Sequence, residues 1–586
     1  EAHGGVSRAM PWRSAAACAL ACGAALVLTM SVVWQPSGRR KAGRILVDEY
    51  HSRVDDWSTW RWPQKEYDTT STLRAFDENW YGPAAPYNYA SLYEYCSRFY
   101  AMSRLETPID DRVLGASDVL VLKVPSRYFS REEIGAVRRF VEAGGGLLLL
   151  GEHTSVFGSG VCLNQIATSF GFRFRYDCLF GIDDVFQQRY DPPPVPHPVV
   201  QHMGPLDFAV SCSIDPGSSA GCAVIRDSGL KSLDADYHVS NFYPQPKDRP
   251  EMLHGSFVQL WATSSGEGRV LAFTDSTIFA NFGVFEPGKK ELFLGMMEWL
   301  NHRAGFSAGW LSLLGLGLGL GSLLLARRGR VPWVLLLGAC LLGWVAGAAA
   351  TRALHRAELP APEPQRPMVR VAFEQSLCTD TGFSLSGFVA GETKGFGLFE
   401  RGFQRLTKRG DAGDPGRTWV TFRTDGASAL DADLVVLIHP NRSPEPELGE
   451  RIDRYVRSGG KLLILDSPVN TESTANALLA PFGVSVDRGG TLQGEVSAGA
   501  GLPSIPLEAA LAVSGGTPFA SVGGKPVATW VRHGKGSVIV LGFGTRFSDA
   551  NMGVTGDLVP DEALRKVFDF EYRLLEAIVD DSLPSK

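Results

Sequence analysis

The chain lacks several of the signatures that would assign it to a known chemistry. Its nine cysteines include no C-x-x-C pair, which argues against a zinc ribbon. It has no G-x-x-x-x-G-K-[ST] loop for nucleotide phosphates, and no basic stripe with interleaved aromatics for nucleic acid. The net charge is only −6 over 586 residues, and 44% of the residues are hydrophobic. This composition is typical of a folded protein rather than a disordered one, and we expect no nucleic-acid partner.

Two long apolar runs, residues 306–326 and 331–350, stand in the middle of the chain. Each has about 20 residues, enough for an α-helix to cross roughly 30 Å of hydrocarbon. Residues 327–330 are too short a connection to hold a domain, so we predict a transmembrane hairpin; a pair of buried core helices is the alternative. A hairpin returns the chain to the side that it left, which places the polar segments before and after it in one compartment.

A third apolar run, residues 15–34, follows a short tail of residues 1–14. Its length favours an uncleaved anchor over a signal peptide, whose apolar core has about 7–15 residues. The three arginines within residues 327–330 favour a cytoplasmic hairpin loop and exoplasmic domains. Basic residues just after the first run favour the opposite orientation: Arg39, Arg40, Lys41 and Arg44. We expect a multi-pass protein of the cell (inner) membrane with its large domains on the exoplasmic side.

The spacing of the cysteines allows two disulfides. Cys212 and Cys222 flank a turn, as two cysteines bridged across a hairpin would, and Cys162 could pair with Cys178. Disulfides would imply an oxidising compartment. The alternative is a set of ordinary buried thiols.

The first polar half, residues 44–303, has the pattern of an α/β domain. Apolar strands at residues 118–122 and 147–150 enclose a helix at residues 131–143, which indicates a βαβ unit in a parallel sheet. Further elements are predicted as strands at residues 45–47 and 269–273 and helices at residues 92–101 and 289–300. A Pro-rich linker, residues 360–367, leads to a second domain at residues 368–582.

The second half repeats the first. Residues 116–153 align without gaps with residues 431–468, and residues 268–281 match residues 536–549. So many matched positions in one order predict two copies of one α/β domain, although two copies do not make a solenoid.

Polar residues follow three strands of the first copy, at the edge where open parallel sheets bind ligands. The candidate catalytic residues are Asp48, His51, Glu152, His153 and Asp275. The candidate ligand-binding residues are Glu49, Asn164, Ser276 and Asn281. Such a set could bind a metal, act as acid and base, or hold a polyol. The alternative is a set of caps and turn formers, which these residue types also supply.

At most of these positions the second copy has a different residue type. Phe373 stands opposite Asp48, Ser376 opposite His51, Ser467 opposite Glu152, Pro468 opposite His153, and Phe543 opposite Asp275, while Glu49 is retained as Glu374. The second copy is therefore predicted to keep the scaffold and lose the titratable edge, so that any catalysis belongs to the first copy.

The segments ILVDEYH, SDVLVL, FSREEIGAVRRFVEAGGGLLLLGEHT and FTDSTIFAN resemble the DUF4350 family. They are also similar to gliding-motility and ABC-transporter auxiliary proteins of the class I glutamine-amidotransferase-like, flavodoxin-like superfamily. The resemblance implies two such domains in a membrane assembly, beside ABC-transporter or MoxR-type ATPase subunits. Amidotransferases place a catalytic Cys where this chain has Glu152 or Ser467, so glutamine hydrolysis is not expected.

These observations lead to two functional hypotheses. The first is a non-catalytic membrane protein without a cofactor, whose exoplasmic domains bind a glycan, a peptide or a partner subunit through the edge and the aromatic stretch of residues 57–89. The second is a hydrolase that acts on a sugar or amide through Asp48, Glu152, His153 and Asp275, with or without a metal.

Overall fold

The described part of the chain folds into two compact units. The computed structural model describes residues 12–52, 88–182, 188–208, 210–234, 250, 252–280, 283–306, 308–365, 367–379, 395–404, 406, 417–423, 425–499, 501–552 and 561–583. The first unit takes its described residues from Glu1–Trp62, Tyr100–Thr277 and Gly288–Glu363. The second takes them from Pro63–Phe99, Ile278–Pro287 and Pro364–Lys586.

The helices and strands are numbered along the chain. The helices are α1 (Trp12–Val33), α2 (Ala90–Cys96), α3 (Asp111–Gly115), α4 (Arg131–Glu142), α5 (Ser159–Ala167), α6 (Lys289–Leu300), α7 (Trp310–Gly329), α8 (Trp333–Glu358), α9 (Gly397–Gln404), α10 (Gly426–Ala429), α11 (Pro446–Ser458), α12 (Ala475–Leu479), α13 (Asp549–Met552) and α14 (Glu562–Val579). The strands to the end of the first half are β1 (Ser37–Arg40), β2 (Arg44–Asp48), β3 (Ala101–Leu105), β4 (Val119–Lys123), β5 (Gly146–Leu150), β6 (Arg173–Phe174), β7 (Asp177–Phe180), β8 (Gln188–Tyr190), β9 (Leu206–Phe208), β10 (Ile214–Asp215), β11 (Gly221–Asp234), β12 (Leu253–Ser265), β13 (Gly268–Phe273) and β14 (His302–Ala304). The remaining strands are β15 (Val369–Glu374), β16 (Thr418–Arg423), β17 (Leu434–Ile438), β18 (Lys461–Leu465), β19 (Ser485–Ala498), β20 (Pro506–Ser514), β21 (Thr517–Val522), β22 (Lys525–His533) and β23 (Gly536–Leu541).

The sheet of the first unit joins a parallel half to an antiparallel half. Its order is β3-β2-β4-β5-β13-β12-β10-β6, with β11 pairing with β12 and β7. The first five strands are parallel. The strands β4, β5 and β13 are buried along their whole length, because helices cover both faces of a parallel sheet.

The sheet of the second unit has the same order through its first five strands. These are β16-β15-β17-β18-β23, all parallel, followed by the antiparallel strands β22-β21-β19-β20. The register corrects the alignment of the two β2-type strands. Ile45 pairs with Val119 as Val371 pairs with Leu434, so Asp48 corresponds to Glu374 rather than to Phe373. The predicted match of Glu49 with Glu374 is therefore wrong by one residue.

Local sequence explains how the βαβ helices begin and end. Ser130 caps α4, since its hydroxyl accepts from the Glu133 N–H while the Glu133 carboxylate accepts from the Ser130 N–H. After the helix, the ring of Phe140 covers Gly145 so closely that a Cβ on that glycine would lie 2.4 Å from the ring. In the second unit Tyr455 covers Gly460 in the same way, at 2.2 Å.

Three helices, α1, α7 and α8, are long and apolar enough to span a membrane. All three differ from the predicted runs, and α1 begins three residues earlier than predicted, at Trp12. The helix α7 begins at Trp310 and includes the first two arginines of the predicted loop, and α8 continues to Glu358, eight residues past the predicted end. The polar end of α8 is held by the chain that follows α1, because Glu358 Oε2 accepts from the Ser37 N–H at 2.8 Å.

The predicted helix at residues 92–101 is wrong in its second half. The helix α2 ends at Cys96, and Ala101 begins the edge strand β3, which the sequence did not predict. The segment before this strand belongs to the second unit. There the buried guanidinium of Arg98 donates to the carbonyl oxygens of Thr418 and Gln404, at 2.8 and 2.7 Å.

All nine cysteines are free thiols. The predicted bridge between Cys212 and Cys222 is not formed: Cys222 lies on β11 opposite Ala262, while the Cys212 N–H donates to the Thr274 carbonyl. Cys162 and Cys178 are likewise separate buried thiols, so the alternative of ordinary core cysteines applies. The thiols therefore give no support to an oxidising compartment.

Candidate functional site

The carboxyl ends of β2 and β4 bring together the first group of predicted site residues. These strands are neighbours in the sheet although β3 lies between them in sequence, and such a reversal of strand order is where open α/β sheets bind ligands. Asp48, at the end of β2, is fully buried. Its Oδ2 lies 2.9 Å from His51 Nδ1, and its Oδ1 accepts from the Tyr50 N–H at 3.0 Å. The acid therefore fixes the turn that follows β2.

His51 lies between two carboxylates. Its Nε2 is 3.1 Å from Glu133 Oε1, and its ring centroid is 4.1 Å from that of Phe129. Burial raises the pKa of Glu133, but hydrogen bonds from the N–H groups of Ser130 and Ile109 outweigh burial and leave that pKa below its usual value. Asp48, His51 and Glu133 thus form a buried acid–imidazole–acid row from the end of β2 to the first turn of α4, in which His51 Nε2 lies close to Glu133 but makes no hydrogen bond in the described structure.

Glu49 and Lys123 form a second buried pair at the same strand ends. Lys123 Nζ lies 3.3 Å from Glu49 Oε2, and the two residues are only 2% and 5% exposed. The Ser52 hydroxyl donates to the Lys123 carbonyl at 2.6 Å, which ties the loop after β2 to the end of β4. Removing one member would leave the other charge buried and uncompensated, which is strongly destabilising.

Glu152, which follows β5, is fully enclosed by hydrogen-bond donors. Its Oε2 accepts from the hydroxyl groups of Ser276 and Thr277, both at 2.7 Å, and from the Thr277 N–H at 3.0 Å. Its Oε1 accepts from the His153 N–H at 3.0 Å. Burial raises the pKa of Glu152 to about 7 in spite of these four bonds. The carboxyl group joins the ends of β5 and β13.

His153 lies in a strained segment beside Glu152. Its Nδ1 is 3.0 Å from Thr154 Oγ1, and burial lowers its pKa to about 3. Thr154 and Ser155 both adopt positive φ, 48° and 51°, a region that residues other than glycine seldom occupy. Such strain persists only where the surroundings determine the conformation, and it concentrates near functional sites.

The other predicted residues are placed differently. Asp275 is fully buried just after β13. Asn164 clamps α5 to β6: its Nδ2 donates to the Phe174 carbonyl at 2.9 Å and its Oδ1 accepts from the Phe174 N–H at 2.8 Å. Its ligand-binding role stays a prediction, because this amide is engaged within the fold. Asn281 and residues 57–87 of the aromatic stretch lie outside the described residues.

The second unit has not lost its titratable edge, contrary to the sequence prediction. Glu374 accepts from the N–H groups of Ser376 and Leu377, as Asp48 does from the residues that follow it. Asp466, one position before the counterpart of Glu152, is fully buried, and its Oδ2 lies 3.0 Å from a nitrogen of Arg488.

Ser467 and His439 form a polar pair that the sequence did not predict. Ser467 Oγ lies 2.8 Å from His439 Nε2 and accepts from the Thr545 hydroxyl at 2.5 Å. Burial lowers the pKa of His439 to about 4, and its φ of 51° is as strained as the 40° of Val124 at the same place in the first unit. A serine beside a neutral histidine has the composition of a nucleophile and its base. However, Ser467 has no exposed surface, so a substrate has no access to it.

The sequence identified the acids and histidines of the candidate site but not the residues that contact them. Lys123 lies within the buried strand β4, and Glu133 belongs to the capping box of α4, so each has a structural role in its own element. Thr277 follows Ser276, which was already a candidate residue. The pattern G-x-S-x-G does occur at residues 217–221, but it joins the antiparallel strands β10 and β11, where no nucleophile elbow can form. In the described parts of the chain no three His, Cys, Asp or Glu side chains are grouped to hold a metal.

Fold and site together define a class: an α/β protein with two sheets that contain parallel strands and three helices long and apolar enough to span a membrane. Residues 89–297 match a protein family described as "Domain of unknown function (DUF4350)". This match covers β3 to β5, β13 and most of α6, together with Glu152 and Lys123. No curated protein matches the chain.

Solved structures give only distant similarities. The "mmIFT52 N-terminal domain" is 14% identical, with a TM-score of 0.30, and the match covers 44% of this chain and 96% of that one. The exo-beta-1,4-mannosidase Op5Man5 from Opitutaceae bacterium strain TAV5 is 12% identical, with a TM-score of 0.25 and coverage of 42% and 40%. The beta-galactosidase from Bacillus circulans sp. alkalophilus is 16% identical, with a TM-score of 0.24 and coverage of 41% and 34%. The chain thus spans well under half the length of either glycosidase.

Proposed function

We propose that this protein is a membrane-anchored, non-catalytic binding subunit of a transport or envelope-associated complex. The proposal rests on the burial and the contacts of the residues at the candidate edge. Asp48, Glu49, Glu152 and His153 are all buried, and each is held by neighbours from its own edge. Acids that are already committed to backbone N–H groups, hydroxyl groups and a buried lysine hold strand ends together, and they offer no free group to a substrate.

Both units are, in this proposal, copies of one amidotransferase-like, flavodoxin-like domain. The support is the strand order. Numbered along each half, the parallel strands run 2-1-3-4-5 in both sheets, which is the flavodoxin-like order. The Arg44–Asp118 and Arg370–Asp433 pairs occupy the same register in the two units. A duplicated scaffold whose two sheet edges carry different side chains suits an adaptor that contacts a partner subunit, a glycan or a peptide.

Residues 89–297 match the DUF4350 family, and the family resemblance leads us to expect partners among ABC-transporter or MoxR-type ATPase components. We place the large domains on the exoplasmic side, on the strength of Arg327 and Arg328 in the last turn of α7 and Arg330 just after it. Reporter fusions at residues 45, 328 and 586 test this orientation. The first and third reporters should be active in the compartment opposite to the second, and a cytoplasmic signal at residue 45 would overturn the exoplasmic placement.

The test of function compares the full-length wild type with Glu152→Ala in native membranes and in detergent. We expect chemical cross-linking in native membranes to join the same partner polypeptides to both proteins. We also expect neither protein to hydrolyse p-nitrophenyl glycosides or amino-acid p-nitroanilides, and neither to retain a stoichiometric divalent ion. Turnover or a bound ion that is present in wild type and lost in Glu152→Ala would overturn the non-catalytic assignment.

A hydrolase that uses the edge of the first unit is the second candidate. One observation favours it: with a pKa of about 7, Glu152 is in part a neutral carboxylic acid at physiological pH, as a general acid must be. The four hydrogen bonds that Glu152 already accepts oppose it. A pH–rate profile with a limb near pH 7 that disappears in Glu152→Gln would establish the hydrolase, and a flat baseline in both proteins would exclude this role.

A further inference from the structure

A cavity of about 420 Å³ lies at the amino-terminal edge of the first unit's sheet, where β2, β4 and β5 begin. This is the edge opposite to the candidate site described above. The cavity is lined by Lys41, Arg44, Asp111, Leu114, Gly115, Ser117, Asp118, Arg139, Phe140, Ala143, Gly144, Gly145 and Arg303.

The lining carries a surplus of positive charge, with four basic residues against two acidic ones, a net charge of +2. Both acids are paired. Asp118 Oδ1 lies 2.9 Å from Arg44, and Asp111 Oδ2 lies 2.7 Å from Arg139. Arg303 is paired with Glu267, which lies outside the lining, so the surplus resides on Lys41, whose pKa burial lowers to about 7. An anion bound beside Lys41 would favour its charged form, so a polar cavity that contains this ammonium group and the Arg303 guanidinium is suited to an anion.

Lys41 is oriented toward this space by the backbone. Its ammonium group donates to the carbonyl oxygens of Asp118 and Gly144, both at 2.9 Å, and an ammonium has three N–H donors. Arg303 pairs with Glu267 and crosses the face of Gly144, where a Cβ would lie 3.1 Å from its Nε. Its guanidinium is nearly half exposed and has five N–H donors, so one carboxylate does not exhaust it.

Short stretches of chain connect the cavity to two membrane-type helices. Lys41 follows the last residue of α1 by eight positions, and Arg303 precedes the first residue of α7 by seven. At ~3.5 Å per residue neither can lie more than roughly 30 Å from its helix end. The two connections run side by side, because β1 pairs with β14 and places Ser37 opposite Ala304. The exposed side chain of Arg39 adds a further positive charge on this pair of strands, whereas Arg40 is paired with Glu298.

The second unit, which contains none of the three membrane-type helices, does not have this surplus. It keeps the structural pair, with Arg370 lying 3.2 Å from Asp433. However, Pro367 stands where the first unit has Lys41, and Asp580 and Asp581 follow α14 where Arg303 follows α6. At these two positions the cations of the first unit, which carries the membrane-type helices, are therefore not repeated in the second unit.

We propose that this cavity binds the phosphate of an anionic lipid headgroup at the membrane surface, with Lys41 and Arg303 as its principal cations. Arginine and lysine near a bilayer attract anionic lipids, and the guanidinium fork matches phosphate oxygens. The bound headgroup would fix the first unit against the membrane from which its helices emerge. This binding does not depend on which macromolecular partner the proposed adaptor contacts.

The test uses the full chain in detergent, with phosphatidylglycerol, phosphatidylcholine or inorganic phosphate added. We expect phosphatidylglycerol to raise the Tm of wild type by several degrees and to be retained in native mass spectra, while phosphatidylcholine does neither. Lys41→Gln combined with Arg303→Gln should weaken the apparent affinity at least tenfold. Arg138→Gln is the matched control, because Arg138 is an exposed cation of α4 that pairs with Glu142 outside the cavity.

Arg303→Gln alone provides a second variant, since its half-exposed side chain can change without disturbing the core, and its unliganded Tm verifies folding. Equal responses to the two lipids, or an unchanged response in both variants, would overturn the proposal. If millimolar inorganic phosphate reproduces the whole Tm shift and removes the preference for phosphatidylglycerol, the cavity is a free-anion site and the lipid assignment is wrong.

Discussion

The hydroxyl of Thr277 donates to Glu152 Oε2 at 2.7 Å, and at the same place in the second unit Thr545 donates to Ser467 Oγ at 2.5 Å. In both units a threonine after the last parallel strand thus reaches the residue that follows its neighbouring strand. The acceptor differs: a carboxylate in one unit, a hydroxyl in the other. The contact is the same in both units while the chemistry of the acceptor differs, which is expected of an interaction that locks two strand ends.

This pair of contacts gives a matched prediction. Thr277→Val should destabilise the protein by about 1.5–3 kcal/mol, because it removes a hydrogen bond to a group that is charged when ionised. Thr545→Val should cost about 1 kcal/mol, since its bond joins two neutral groups. Denaturant unfolding of the full chain in detergent measures both. Equal losses at pH 8, where Glu152 is largely ionised, would show that its charge does not matter to this lock.

Glu571, on α14, provides a prediction about pH. It is buried, and neither carboxylate oxygen has a hydrogen-bond partner in the described structure. Burial, followed by the nearby charge of Asp549, raises its pKa well above the usual value. The folded state therefore holds a proton that the unfolded state releases above about pH 4.3, so the contribution of Glu571 to stability falls as the pH rises.

Glu571→Gln removes this titration, and its Tm relative to wild type should increase steadily from pH 5 to pH 8. Glu562→Gln is the control, because Glu562 is an exposed residue of the same helix, paired with Lys566. Its Tm difference from wild type should stay nearly constant with pH. A constant difference for Glu571→Gln as well would contradict a raised pKa.

The packing of α1 against α8 predicts a contrast between two glycines of α8. A Cβ at Gly343 would lie 2.1 Å from the carbonyl oxygen of Cys22, whereas a Cβ at Gly338 would meet nothing within 4 Å. Gly343→Val should force the two helices apart and cost roughly 1–3 kcal/mol, as overpacking usually does. Gly338→Val should leave the Tm in detergent almost unchanged. Similar Tm values for the two variants would show that α1 and α8 do not pack as described.

The two asparagine clamps predict equal effects in the two units. Asn164 bonds both backbone groups of Phe174, and Asn476 bonds both backbone groups of Val486, at 3.0 and 2.7 Å. Alanine at either position leaves a buried N–H and carbonyl unpaired, so each change should cost about 1–3 kcal/mol. If Asn164 instead serves mainly to bind a ligand, Asn164→Ala should lose binding with little loss of stability. Limited proteolysis and denaturant unfolding of the variant would reveal this outcome.

Much of the βαβ architecture could be predicted because its signals are local. The apolar runs of β4 and β5, the cap at Ser130 and the helix α6 were each identified within one or two residues. The edge strand β3 was missed, since its five residues alternate between exposed and partly buried positions and include Arg104. The last turns of α8 were missed because their hydrogen bonds come from the chain after α1, which lies more than 300 residues away.

The candidate site was likewise predictable only in part. That Asp48, Glu152 and Asp275 end strands at one edge was predictable, because alternating strands and helices require a parallel sheet. The residues that contact this edge were not predictable, because Glu133 and Lys123 already have local roles in a helix cap and a buried strand. A one-residue error also matched Glu374 with Glu49 instead of Asp48, because an alignment of sequence letters does not contain the register of paired strands.

The sequence by itself determined that this protein has three apolar helices and repeated strand–helix–strand segments, because burial periodicity and caps act over a few residues. Only the tertiary structure decided that Asp48, Glu49 and Glu152 are held by neighbouring groups, that the cysteines stay apart, and that residues near 98 and 286 belong with the second half. These properties depend on which distant groups become neighbours, and that is fixed by the packing of whole sheets rather than by any local pattern.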